Sequence, residues 1–108
     1  MITRKIESVY TVTVIDLYTD TVLGHRRTPA IFTDLNLAIY TVRNNVDNLS
    51  DGISYQYAVI EESALNVVRP NLEHSSLRLW FKYNSAVDEF VECTAPPQLR
   101  MQTGFGIG

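Results

Sequence analysis

Residues 33–45, TDLNLAIYTVRNN, carry the clearest helical pattern in the chain. Leu35, Ala38, Ile39, Val42 and Val46 recur at helical spacing and form a single apolar stripe, the mark of a helix laid on a sheet. Thr33 is placed to cap the start. Asp34 follows in the first turn, where a negative charge meets the positive end of the helix dipole. Asn44-Asn45 and then Asp51-Gly52 end the pattern with residues that tolerate turns.

Upstream, residues 8–19 (SVYTVTVIDLYT) alternate Tyr10, Val12 and Val14 with Thr11 and Thr13. Period two is the signature of a half-buried strand. Asp16 to Gly24 reads as a hairpin connection and His25 to Phe32 as the second strand. Pro29 cannot donate to a ladder, so this strand belongs at a sheet edge. Downstream, Tyr55 to Glu62 is apolar in its middle and reads as a central strand. Residues 63–76 have no steady period and include Pro70, a loop long enough to suggest a binding role.

Residues 77–84, LRLWFKYN, alternate strictly. Leu77, Leu79, Phe81 and Tyr83 point one way, and Arg78, Trp80 and Lys82 the other. Residues 84–88 connect this strand to a returning one at 89–93, and Pro96-Pro97 then ends regular structure. In the tail, three of the last five residues are glycine, with Phe105 and Ile107 between them. That apolar pair predicts a tail packed on its own domain or on a second copy. The expected fold is α+β, one domain over 1–108 with its core in 1–94. An antiparallel or mixed sheet of about five strands, in the order β-β-α-β-β-β, carries one main helix on one face and ends in a glycine-rich tail over 95–108. One helix leaves the other face for solvent, a ligand or another subunit.

Composition narrows the function. The 108 residues fit a single domain, and the 45% hydrophobic and 19% charged content is that of a globular protein. A net charge of −3 with only nine scattered basic residues argues against a protein that grips polymeric nucleic acid. A lone cysteine, Cys93, excludes an internal disulfide and a multi-cysteine zinc site. No run approaches the ~20 apolar residues of a membrane span and no signal-type stretch follows Met1, so the expected location is cytoplasmic, with no membrane partner.

No catalytic set or cofactor motif is legible. His25 and His74 are far apart, Glu61 and Glu62 face opposite sides of a strand, and GFGIG precedes no helix. Binding is the better use of the residues present. Arg78, Trp80 and Lys82 place cation, aromatic and cation along one strand face, a stacking platform with charge for phosphates. They also suit a packed sheet face with the cations draped over the ring. Of the adjacent Arg26 and Arg27, beside His25, one enters any given pocket, and edge strands carry such charge against mispairing. Arg43 near the helix end is explained by the dipole. Arg69 and His74 in the long loop, with Arg100 in the tail, would close over a ligand and contact phosphate.

YTVTVIDLYT, the helix after IFTDLNLAI, YAVIEE, LWFKYN with its hairpin, and the proline-bearing tail ending in GFGIG resemble short, mostly uncharacterised proteins of phages and mobile elements. Among these the chain resembles the anti-defence class that sequesters nucleotide immune signals, the anti-Thoeris type of sponge. The resemblance implies a small, usually homo-oligomeric α+β protein of the host cytoplasm. It implies binding of cyclic ADP-ribose isomers or cyclic oligonucleotides without cleavage, aromatics stacking on adenine and arginines holding phosphates. A protein–protein inhibitor of a bacterial defence enzyme is the alternative, suited by the acidic balance and six tyrosines. A small nucleotide hydrolase would have to draw on His25, His74 and Glu61 or Glu62.

Overall fold

A computed structural model describes residues 8–17, 23–64 and 77–99. Five strands and one helix follow the expected order: β1 (Ser8–Leu17), β2 (Leu23–Phe32), α1 (Leu35–Arg43), β3 (Tyr57–Ala64), β4 (Arg78–Asn84) and β5 (Glu89–Cys93). The strands form one sheet in the order β2-β1-β3-β4-β5, with every neighbouring pair antiparallel. β2 is an edge strand, as Pro29 requires. Its register with β1 slips between the Val12 and Val14 pairs, so Pro29 falls in a bulge. Among the described residues no helix is long and apolar enough to cross a membrane.

The alternation in β1 divides the sheet into two faces. Val12 and Val14 join Ala58 and Ile60 of β3, Phe81 of β4 and Phe90 of β5 beneath α1, which contributes Ala38 and Val42. Leu49 and Tyr55 from the connection after the helix complete this core. The helix begins one residue later than the sequence suggests. Asp34 is the cap, and its carboxylate accepts from the backbone N–H of Asn36 at 2.8 Å and Leu37 at 3.3 Å. Thr33 and Asp34 are both capping residues, and only the backbone geometry separates them.

The opposite face is also buried over its centre. Ile15, Val59, Trp80 and Leu99 form a second apolar cluster, with Leu17, Tyr57, Cys93 and Ala95 packed against it. The chain after β5 therefore turns back across the sheet, ending in a short 3-10 turn at Pro97–Leu99. Ala95 and Leu99 pack on this sheet, whereas Phe105 and Ile107, which carried the expectation of a packed tail, lie outside the described residues. Residues 100–108, and 65–76 of the expected loop, fall outside the described residues.

The connection from α1 to β3 is held by polar groups. Asn45, Asp47, Asn48 and Asp51 all have positive φ, as does Asp88 in the β4–β5 turn. Asn and Asp enter this region at lower cost than other side-chain-bearing residues. The buried Asn45 amide donates to Ser50 Oγ at 3.0 Å and to Asp88 Oδ1 at 2.9 Å, and its carbonyl accepts from the Ser50 N–H at 2.8 Å. Tyr83 donates its hydroxyl to the same Asp88 oxygen at 2.6 Å. One buried amide thus pins the helix exit to the far hairpin.

Two outcomes follow. Phe81→Ala should cost about 3–5 kcal/mol in urea denaturation, whereas Val87→Ser, at a position 55% exposed, should stay within about 0.5 kcal/mol. The second concerns acid. The Tyr83 hydroxyl, then the Asn45 amide, hold the Asp88 carboxyl below its ordinary value. A carboxylate depressed in the fold stabilises above its unfolded value of about 4, and that stabilisation is lost as pH falls through the lower folded value. The stability gap between the native chain and Asp88→Asn should therefore be wider at pH 7 than at pH 3. Equal gaps would show that the carboxylate is not engaged.

Candidate functional site

The antiparallel register sorts the sequence candidates into rows across the face away from the helix. One row runs Arg26, Ile15, Tyr57, Lys82, Val91 through β2, β1, β3, β4 and β5. The next runs Thr13, Val59, Trp80, Cys93, with Thr28 joined to Thr13 through their hydroxyls at 2.9 Å. A third runs Ile31, Thr11, Glu61, Arg78. Arg26, Arg78, Trp80 and Lys82 therefore share one face. Arg69, His74 and Arg100 lie outside the described residues.

The environments of these four differ sharply. Trp80 is only 5% exposed and is packed with Ile15, Val59 and Leu99, so its ring is part of the fold and not an open stacking platform. The alternation of LRLWFKYN sets Trp80 on the face opposite Phe81, and the structure lays the helix on the Phe81 side. The alternation carries no information on the residues after β5 that cross over the ring. Arg78 is half-buried and stands directly across from the buried Glu61, where opposite charges on neighbouring strands stabilise the row.

Arg26 and Lys82 are exposed. They occupy one row three strand spacings apart, about 14 Å, with half-buried Tyr57 between them. Lys82 also borders a groove of about 480 Å³ lined by Tyr83, Asn84, Ser85, Val91, Glu92 and Cys93, within the size range of small-ligand sites. Tyr57 is the aromatic of this row; it packs against the Ile15, Val59, Trp80 and Leu99 cluster and keeps part of its surface to solvent. Its side of the sheet and its alignment with Arg26 and Lys82 both depend on strand pairing.

Arg27 and His25 turn to the helix side. Tyr55, itself 5% exposed, has its hydroxyl 2.7 Å from His25 Nδ1. The Arg27 guanidinium carbon lies 5.6 Å from the centre of the Tyr55 ring. The adjacent arginines thus serve opposite faces, as a strand demands.

The acid–base material does not converge. His25 is engaged with Tyr55 at one end of the sheet. Glu61 and Glu62 lie four and five residues along β3 from Tyr57, about 14 Å or more away, and Glu62 accepts from the Tyr10 hydroxyl at 3.2 Å. Burial pushes the Cys93 thiol up, partly offset by Lys82. Among the described residues no three His, Cys, Asp or Glu side chains gather to hold a metal.

Comparison with known proteins brings no match: no family model, characterised protein or solved structure aligns with this chain.

The thiol beside the groove gives a test of the local electrostatics. At pH 7.5 Cys93 should react with Ellman's reagent more slowly than a cysteine in an unstructured peptide, because the thiolate is the nucleophile. Lys82→Gln removes the lowering charge and should slow the reaction further. Faster labelling in that variant would contradict this arrangement.

Proposed function

We propose that the protein binds a small phosphorylated nucleotide on the sheet face away from α1 and holds it without chemical change. The observation that carries this reading is the row Arg26, Ile15, Tyr57, Lys82. It sets two exposed cations on either side of a half-buried aromatic ring, beside an open groove. A π-face accepts any base, and cations at its flanks meet phosphates. A net charge of −3 suits a compact nucleotide better than a polyanion.

The resemblance to phage proteins that sequester immune signals supports cyclic ADP-ribose isomers and cyclic oligonucleotides as the ligand class. In that setting the protein acts as a sponge in the host cytoplasm, as a homo-oligomer. Sequestration requires affinity and slow release, and no residue need move a proton.

A second reading, a protein inhibitor of a bacterial defence enzyme, is favoured by Leu37 and Tyr40. They are 49% and 61% exposed and lie three residues apart on the outer side of α1.

Isothermal titration calorimetry against cyclic ADP-ribose isomers and cyclic di- and trinucleotides tests the first reading. At least one ligand should saturate and be recovered intact after denaturation. Arg26→Gln and Lys82→Gln should each weaken it by about tenfold or more, the loss of a charge-assisted contact. No heat with any of these ligands would overturn the proposal. A stoichiometric host protein lost on Leu37→Glu would establish the second reading instead.

A further inference from the structure

The helix side of β2 carries a second constellation that the nucleotide face does not use. His25 and Arg27 are two residues apart on this edge strand, and both meet the Tyr55 ring. The His25 and Tyr55 ring centres are 5.8 Å apart, and Arg27 lies 5.6 Å from the Tyr55 centre. Tyr55 is fixed in the core, whereas His25 and Arg27 are exposed. A buried ring thus holds the base of two solvent-facing nitrogen groups.

We propose that His25 and Arg27 form a binding site for a phosphate monoester or free phosphate, with Tyr55 as its floor. The guanidinium offers paired N–H donors that match two phosphate oxygens. Its contact with the Tyr55 ring favours a fixed position by cation–π attraction and limits the side-chain freedom lost on binding. The 2.7 Å contact between Tyr55 Oη and His25 Nδ1 decides what the outer imidazole nitrogen offers. When the tyrosine hydroxyl donates, the proton of a neutral imidazole sits on Nε2 and faces outward as a second donor. An anion selects that tautomer. Side chains two apart on one strand are spaced by about 7 Å, so one phosphate can accept from both.

One charge opposes the site. Asp16 lies on β1 between the Ile15–Arg26 and Leu17–Leu23 pairs, close enough in register to repel an anion. This proposal does not rest on the nucleotide reading of the other face. Arg26→Gln and Lys82→Gln should leave the phosphate site intact.

Titration with inorganic phosphate and, separately, with adenosine 5′-monophosphate at 0.15 M salt tests it, read by NMR from the His25 imidazole C–H signals. Both probes should shift these signals to saturation, and a tighter fit for the nucleotide would identify a terminal phosphate as the ligand. Arg27→Gln should weaken phosphate by about tenfold or more. Tyr55→Phe, which keeps the ring and frees His25, should weaken it less. Asp16→Asn should tighten it, and Arg43→Gln at the helix end should change nothing. Equal affinity in the native chain and Arg27→Gln would overturn the proposal. An equal loss on Arg43→Gln would also do so, because it would mark diffuse surface attraction.

Discussion

The ladder between β1 and β3 is the constraint on which the molecule depends. The two strands pair over eight consecutive positions, from Ser8 opposite Ala64 to Ile15 opposite Tyr57. Both faces of its centre are buried: Val12, Val14, Ala58 and Ile60 toward the helix, Thr13, Ile15, Val59 and Glu61 away from it. A strand pair without solvent on either side needs cover twice. Among the described residues there is one α-helix, of nine residues and about 14 Å long, against a sheet about 19 Å across. Everything else in the fold responds to that shortfall.

On the helix side the shortfall is met by Leu49 and Tyr55, carried in by a connection that turns through Asn and Asp residues at positive φ. Asn45 ties that connection to the β4–β5 hairpin through Asp88. On the other side it is met by the chain after β5, whose Leu99 closes over Trp80. Among the described residues those additions cover the centre of the second face and not its margins. Arg26 and Lys82 stand at those margins, which is why charge and groove are found there and the aromatic most visible in the sequence is not.

This division explains what was legible. Periodicity within a segment is a local property, so the helix, the strand within residues 8–19 and the faces of LRLWFKYN could be read from it, while the other strands followed from turn signals and an apolar middle. Pro29 gave the edge strand because its chemistry forbids a central one. Which strand residues align across the sheet depends on register, which two bulges in the β1–β2 pairing alter. The row of Arg26, Tyr57 and Lys82 was therefore hidden, although each residue was in view. The contact of His25 and Arg27 with Tyr55 was hidden for the same reason, since it joins residues about thirty positions apart. For Trp80 a stacking platform and a packed sheet face both stayed open, because its cover comes from beyond a proline pair that ends all periodic signal.

The claim that the margins of the second face bind a phosphorylated nucleotide is tested most directly by NMR chemical-shift mapping with a cyclic ADP-ribose isomer or cyclic trinucleotide. The account predicts perturbations that centre on Arg26, Tyr57 and Lys82 and spare Leu37 and Tyr40 on the outer side of α1. Perturbations confined to that outer helix surface, or none at saturating ligand, would contradict it.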